Sequence, residues 1–268
     1  MKTALTIAGS DSGGGAGIQA DIKAFSANGV FGMSAITAIT AQNTQEVRSV
    51  QYVDLAIIQD QIEAVFDDIQ VDAVKIGMLG NAETTQVVAN TLKKYSPVYI
   101  VVDPVMVSKG GHHLLEQSAV EALKQDLLPI ASIITPNIPE AEVLIGNTVQ
   151  TEEEMYKACE QIMQMGVKAV LLKGGHLSGP PNDLFYDGID FRWLKADRID
   201  TKNTHGTGCT LSSAITANLA KGSTLFEAVT LAKRYITTAI THSLSLGSGH
   251  GPTNHFYDLY KQTNMIVK

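Results

Sequence analysis

Residues 203–209, Asn203-Thr204-His205-Gly206-Thr207-Gly208-Cys209, concentrate more potential chemistry than any other stretch of the chain. They run into Thr210 to Ala220, small and apolar residues at helical spacing, which predicts a glycine-bearing turn feeding a helix N-terminus. The first N–H groups of a helix lack internal partners, and its aligned dipoles place roughly +0.5 charge there. Glycines let that backbone approach a ligand closely, which suits an anion such as a phosphate. The same field favours thiolate, so Cys209 is expected to have a lowered pKa. A glycine turn before a buried helix with an inert core thiol would use the same residues.

Other polar residues stand where apolar runs stop. Asp11 follows the run Ala4–Ala8, Gln42 follows Met33–Thr40, and Met78-Leu79 follow Ala73–Ile76. Asp103 ends the β-branched run Val98–Val102, Asn137 and Glu140 follow Ser132–Thr135, and Lys173 follows Ala169–Leu172. Each alone has a structural reading: Asp103 before Pro104 can start a turn, and Asn137-x-x-Glu140 can cap a helix. In an open α/β sheet, however, strand C-terminal ends share one edge, and residues far apart in sequence meet in one crevice. Together these residues supply what phosphoryl transfer requires: carboxylates for Mg²⁺, a lysine for phosphate charge, and amides for the transferring group.

The elements that must position them alternate almost throughout. Besides the runs above, Val47–Val53 reads as a strand. Helical spacing covers Ile18–Asn28, Leu55–Asp68, Glu83–Tyr95, Ser118–Asp126, Pro139–Ile145, Glu152–Met165 and Leu225–Ser243. Asp187-Gly188 between Leu184–Tyr186 and Phe191–Trp193 signals a hairpin. Ser108 to His113 reads as a polar loop. With no linker-like composition break and no fixed-period repeat, the expectation is one three-layer α/β/α domain over 1–268, with a mostly parallel sheet.

Composition narrows the function classes. The 268 residues are 44% hydrophobic and 18% charged, enough for a sizeable core. The net charge of −7 argues against nucleic acid or an anionic membrane as the main partner, so a phosphate site must be made locally. Two cysteines, Cys159 and Cys209, fall short of a disulfide framework or a metal quartet. No apolar run reaches the roughly 18 residues of a membrane span, and the start, Met1 to Ala8, is too short for a signal segment. The expectation is a soluble cytoplasmic protein. The Gly13–Ile18 stretch lacks the third glycine of a dinucleotide fingerprint, and Pro180 stands where a Walker lysine belongs after Gly174 and Gly179. Neither G-x-S-x-G nor H-E-x-x-H occurs.

Several motifs resemble one family. Ala8-Gly9-Ser10-Asp11 with Gly14 and Ala16–Asp21 comes first, followed by Ala41-Gln42-Asn43-Thr44, Lys75-Ile76-Gly77-Met78-Leu79 and Asp103-Pro104-Val105-Met106. Thr135-Pro136-Asn137-x-x-Glu140, Lys173-Gly174-Gly175-His176 and Asn203–Cys209 follow in order. Over nearly the whole chain these are similar to the hydroxymethylpyrimidine/phosphomethylpyrimidine kinases of thiamine biosynthesis, a branch of the ribokinase-like superfamily. The resemblance implies a ribokinase-like, commonly homodimeric fold. It also implies ATP- and Mg²⁺-dependent phosphorylation of 4-amino-5-hydroxymethyl-2-methylpyrimidine, then of its monophosphate.

By position, the resemblance implies that Gln42 hydrogen-bonds the aminopyrimidine, with Asp21, Met78 and Val105 helping to form its pocket. It assigns Asn137 and Glu140 to Mg²⁺ and the ATP phosphates, with Asp103 nearby; Lys173 to Gly175, and Lys233, border the nucleotide. Gly206, Thr207 and Gly208 give the anion hole. Many superfamily relatives place an Asp base where this chain has Cys209, which would either take the substrate hydroxyl proton or only position that hydroxyl. The other enzyme resemblance is to a Cys-containing pyridoxal kinase whose lid carries a second Cys; the matching stretch here has Ser108. A catalytically silent nucleotide-binding regulator would have a degraded turn or lack the Mg²⁺ residues, and all are present.

Overall fold

The computed structural model describes residues 1–106, 117–177 and 179–265. The chain opens with β1 (Thr3–Ala8), α1 (Gly17–Ala27) and β2 (Phe31–Ile36), then β3 (Ala38–Gln42) and β4 (Val47–Tyr52). α2 (Leu55–Asp68), β5 (Ala73–Ile76), α3 (Ala82–Tyr95) and β6 (Ile100–Val102) follow. Next are α4 (Gln117–Ala122), β7 (Ile133–Ile134), α5 (Ile138–Ile145), α6 (Glu152–Met163) and β8 (Val170–Leu172). β9 (Asp183–Tyr186), β10 (Phe191–Leu194), α7 (Thr207–Ala220), α8 (Leu225–Thr241) and α9 (Tyr257–Gln262) complete it.

Eight strands form one sheet in the order β10-β9-β8-β7-β6-β5-β1-β2. The six from β8 to β2 run parallel, and β9 and β10 extend that sheet antiparallel. Side chains alternate across it, as the pleat requires. Ile100 and Val102 join the core beneath α2 to α6, whereas Val101 between them packs toward α7 and α8. Val170 and Leu172 against Leu171 repeat the pattern. Both faces are thus covered, which is why these strands read as unbroken apolar runs. The three-layer α/β architecture expected above is the one found.

The run Met33–Thr40 is two strands, not one. Thr37 is fully buried between them; its N–H donates to the Ala8 carbonyl, 3.0 Å, and its Oγ1 to the Met78 carbonyl, 2.8 Å. The chain turns out of the main sheet there, and β3 pairs antiparallel with β4 in a separate two-stranded ribbon. The expected helix over Ser118–Asp126 is α-helical only to Ala122, continues as a wider turn over Leu123–Leu127, and tightens at Leu128–Ile130 around Pro129. α9 had no expectation in the sequence. α7 is buried along its whole length from Thr210 to Ala220, so its small residues are what let it cross between sheet, α1 and α8.

Candidate active site

The parallel strands end on one edge, and the loops leaving them enclose a cavity of about 520 Å³, within the usual size for a small-molecule site. Gln42, Met78 and Val105 line it, together with Asn137, Glu140 and Asp103. Lys173, Gly175, Lys233 and the turn Gly206–Cys209 complete the set of expected site residues that it brings together. Asp21 is the exception.

The turn is built as the spacing predicts. Gly206 is the N-cap of α7, with φ of +76°, a conformation open to glycine at little cost. A Cβ on it would overlap the Gly15 carbonyl oxygen, so the two glycine loops touch backbone to backbone. Gly208 lies against the charged centre of the site: a Cβ there would stand 3.3 Å from Asp103 Oδ2 and 3.4 Å from Lys173 Nζ. The turn is braced from below, where Thr210 Oγ1 donates to the Gly206 carbonyl at 2.8 Å and meets His255 Nε2 at 3.0 Å. Burial, with the Lys23 charge adding to it, pushes His255 down to about 4, so this imidazole is neutral.

Lys173 Nζ lies 3.3 Å from Asp103 Oδ1, and Asp103 also accepts from Thr135 Oγ1 at 3.2 Å and from Ser212 Oγ at 3.4 Å. Asn137 and Glu140 form a reciprocal capping box at the start of α5: Glu140 N–H to Asn137 Oδ1 at 2.9 Å, Asn137 N–H to Glu140 Oε2 at 2.8 Å. The structural reading of that pair therefore holds, and it does not exclude the other, because both residues also face the cavity. Burial lifts Glu140 to about 7; the Asp103 charge adds to this, while the Lys173 charge and the Asn137 and Met106 amides oppose it. Activity that needs ionised Glu140 should therefore rise with pH around 7. A kcat/KM–pH profile for MgATP is expected to show that acid limb in the wild type and to lose it in Glu140→Gln.

Two expectations are corrected. Asp21 does not line the acceptor pocket. It is fully buried behind it, accepting from Lys75 Nζ at 2.9 Å, Thr6 Oγ1 at 2.7 Å and Ser213 Oγ at 2.7 Å. Lys75, its ion-pair partner, is the member of that pair that reaches the cavity wall. The Cys209 thiol is not acidified. Burial raises it to about 11, with the Asp21 and Asp103 charges adding to the rise; the Lys75 charge and the Gly17 N–H at its sulfur only partly offset this.

Lys233 borders the cavity with its head already engaged, 2.6 Å from Asp183 Oδ2 and 3.3 Å from the Pro181 carbonyl. Gly175 belongs to a loop held by Arg198, whose guanidinium donates to the Gly175, Leu177 and Gly179 carbonyls at 2.9–3.3 Å. The Ser108 comparison falls outside the described residues.

Sequence reasoning missed the pairing of Asp11 with His205. Asp11 Oδ2 is 2.8 Å from His205 Nε2, and the carboxylate also accepts the Gly13, Gly15 and Ala16 N–H groups at 2.8–3.0 Å. Burial alone would raise the Asp11 carboxyl, but His205 and these amides hold it below the usual carboxylate range. Both residues stand in motifs quoted above; no local spacing could link positions 194 residues apart.

An edge that joins glycine-lined amides, a lysine and two carboxylates to a pocket with an amide side chain invites comparison with known kinases. The Haemophilus influenzae hydroxymethylpyrimidine/phosphomethylpyrimidine kinase is 51% identical over 261 residues, 96% of this chain and 97% of that one. A thiamine biosynthesis bifunctional protein from Geobacter sulfurreducens is 52% identical over 252 residues, covering 94% of this chain. The chain spans about half, 51%, of that relative's length. Among solved structures, an ADP complex of Bacillus subtilis pyridoxal kinase superposes with a TM-score of 0.89 at 42% identity, over 95% of this chain and 97% of that one. The family model for phosphomethylpyrimidine kinase matches residues 11–254, a span that begins at the aspartate gripping His205 and takes in every cavity residue considered above. With that match and these identities, the chain belongs to the phosphomethylpyrimidine kinase family.

Proposed function

We propose that the chain is an ATP-dependent kinase of the thiamine pathway. It phosphorylates 4-amino-5-hydroxymethyl-2-methylpyrimidine and then the resulting monophosphate to the diphosphate. The observation that carries this reading is the single cavity shared by Gln42 and the Gly206–Cys209 turn. Gln42 presents a side-chain amide, acceptor and donor together, which complements the ring nitrogen and amino group of an aminopyrimidine. Met78 and Val105 supply apolar walls for the ring. The N–H groups of the turn face the phosphoryl group in flight, and Lys173 answers its charge.

Cys209 meets the acceptor hydroxyl as a neutral thiol. A loose, metaphosphate-like transition state asks little of a base, so the thiol positions the hydroxyl while the amides and charges do most of the work. Accordingly, Cys209→Ala is expected to lower kcat by only about 10-fold, below the roughly 10²–10⁴-fold that loss of a general base would cost. Iodoacetamide should alkylate Cys209 with a pH midpoint near 11, above that of a free thiol. A midpoint below 8 would restore the thiolate base.

Among the described residues there is no cluster of three or more acids, histidines or cysteines able to hold a metal by itself. Asp103 and Glu140 nevertheless fit Mg²⁺, which is commonly held by one or two carboxylates with waters and substrate phosphates. When bound there, it would neutralise charge on the nucleotide's transferring end. The reading extends to a homodimer, for which the exposed Ile39 and Tyr52 of β3 and β4 are the supporting feature, and to a cytoplasmic setting. No helix among the described residues is long and apolar enough to cross a membrane.

The likeness to pyridoxal kinase makes pyridoxal the competing acceptor. ATP turnover measured alone, with hydroxymethylpyrimidine and with pyridoxal separates the readings. Stimulation by the pyrimidine supports the proposal, stronger stimulation by pyridoxal replaces it, and none by either leaves a silent nucleotide-binding regulator.

A further inference from the structure

The segment Gly247-Ser248-Gly249-His250-Gly251-Pro252 has no part in the chemistry above, yet it touches both halves of the site. On one side it grips the tip of the β3–β4 hairpin. The His250 N–H donates to the Thr44 carbonyl at 3.0 Å, the Gly249 N–H to Thr44 Oγ1 at 3.3 Å, and Gln45 Nε2 to Ser248 Oγ at 2.6 Å. On the other side it grips the phosphoryl-binding turn. The His205 N–H donates to the Gly251 carbonyl at 3.1 Å, and the Gly251 N–H to Asn203 Oδ1 at 3.1 Å.

The glycines are required by the closeness of these contacts. A Cβ on Gly249 would overlap the Thr44 carbonyl oxygen, and one on Gly251 would overlap the Leu244 carbonyl oxygen. Gly247 has φ of +73°, and its Cβ would overlap Thr44 Oγ1. Thr44 in turn is two residues from Gln42, in a tip made rigid by Asn43, whose Oδ1 accepts the Gln45 and Glu46 N–H groups at 2.8 and 3.0 Å. Within the chain β3 buries only Ala38 and Thr40, and every residue of β4 after Val47 is exposed. At its base β3 is tied to Ser10, whose N–H donates to the Ala38 carbonyl at 2.8 Å and whose Oγ and carbonyl accept from the Thr40 N–H and Oγ1 at 3.1 and 2.8 Å. Toward the tip the ties are this segment and Ser12 Oγ, bonded to the Gln42 N–H and carbonyl at 2.8 and 2.7 Å.

We infer that residues 247–252 are a positioning strap that sets the span between Gln42 and the Gly206–Cys209 turn, and so the fit of the acceptor between ring pocket and phosphoryl group. The inference rests on the kinase reading above. The strap touches neither reactant; it acts through Thr44 on one side and Asn203 and His205 on the other. A shift of the hairpin by about 1 Å misplaces the acceptor and leaves the nucleotide loops alone, which can cost on the order of 10²-fold in acceptor kcat/KM.

The test is steady-state kinetics of the full chain in which each substrate is varied in turn. Gly249→Ala is expected to lower kcat/KM for hydroxymethylpyrimidine by about 10²-fold, mainly through KM, with KM for ATP unchanged. Thr44→Ala, which removes the Oγ1 that accepts the Gly249 N–H and leaves every glycine of the strap in place, should give a smaller loss of the same kind, with KM for ATP again unchanged. That milder variant decides the matter if Gly249→Ala does not fold. Equal losses for both substrates, or wild-type acceptor kinetics in Thr44→Ala and Gly249→Ala alike, would overturn the strap while the wild type still phosphorylates the pyrimidine. A wild type that does not use the pyrimidine removes the kinase reading, and the strap's role goes with it.

Discussion

Gly206→Ala is expected to lower kcat by about 10³-fold, one of the two largest single effects the site should show. Two costs coincide at this position. The αL backbone conformation at φ +76° penalises any Cβ by roughly 1–2 kcal/mol. The Cβ would also run into the Gly15 carbonyl, a backbone atom that no side-chain rearrangement can move aside. The turn must therefore retreat from the Gly13–Ala16 loop, carrying the Thr207 and Gly208 amides with it. Loss of one preorganised donor costs about 10²–10³-fold, and a displacement of about 1 Å on its own can cost 10²-fold. Turnover measured by ADP release, with calorimetry alongside, checks this. The melting temperature should fall by only a few degrees, roughly 2–4 °C per kcal/mol at this size, while kcat collapses. Activity within tenfold of wild type would show that the turn does not cradle the phosphoryl group.

Lys173→Met should be nearly as severe, with kcat down by about 10³-fold and acceptor KM changed by no more than about threefold. The ammonium sits 3.3 Å from Asp103 Oδ1 and beside Gly208, where charge on the transferring group has to be met. Without it, buried Asp103 and Glu140 face each other unopposed. Glu140, already lifted to about 7 by burial, Asp103 adding, loses the Lys173 charge that holds it down. The acid limb of the kcat/KM–pH profile should consequently move to higher pH in Lys173→Met. Lys173→Arg would return the charge with a planar fork in place of a compact ammonium, and should recover only part of the rate. A profile with an unmoved acid limb would separate Lys173 from Glu140 and break this part of the account.

Much of the architecture was legible because periodicity and burial coincide. Runs such as Val98–Val102 and Ala169–Leu172 are continuous because both sheet faces are covered, and their ends announced the site edge. The strand in Val98–Val102 nonetheless begins only at Ile100, since Val98 is 70% exposed outside the sheet. The break at Thr37 was not legible. A threonine suits a strand interior, and only its tertiary bonds to the Ala8 and Met78 carbonyls bend the chain there.

Within the site, the turn could be read locally because glycine, hydroxyl and helix start are contiguous. The Cys209 pKa could not, because burial, with Asp21 and Asp103 adding to it, outweighs Lys75, and those three residues arrive from three other elements. Asp21 was misplaced for a related reason. Its motif lies in the first glycine loop and helix, but its side chain turns inward to Lys75, Thr6 and Ser213 and away from the cavity.

The central claim is that one crevice holds the acceptor ring on Gln42 and the migrating phosphoryl group on the amides ahead of Thr210. Its most direct test is a crystal structure of the chain with hydroxymethylpyrimidine and a non-hydrolysable ATP analogue. The account predicts the pyrimidine amino group and ring nitrogen on the Gln42 amide, and the acceptor oxygen about 3–3.5 Å from the terminal phosphorus, in line with its leaving oxygen. A pyrimidine bound away from Gln42, or a nucleotide whose terminal phosphate lies remote from Gly206–Cys209, would contradict it.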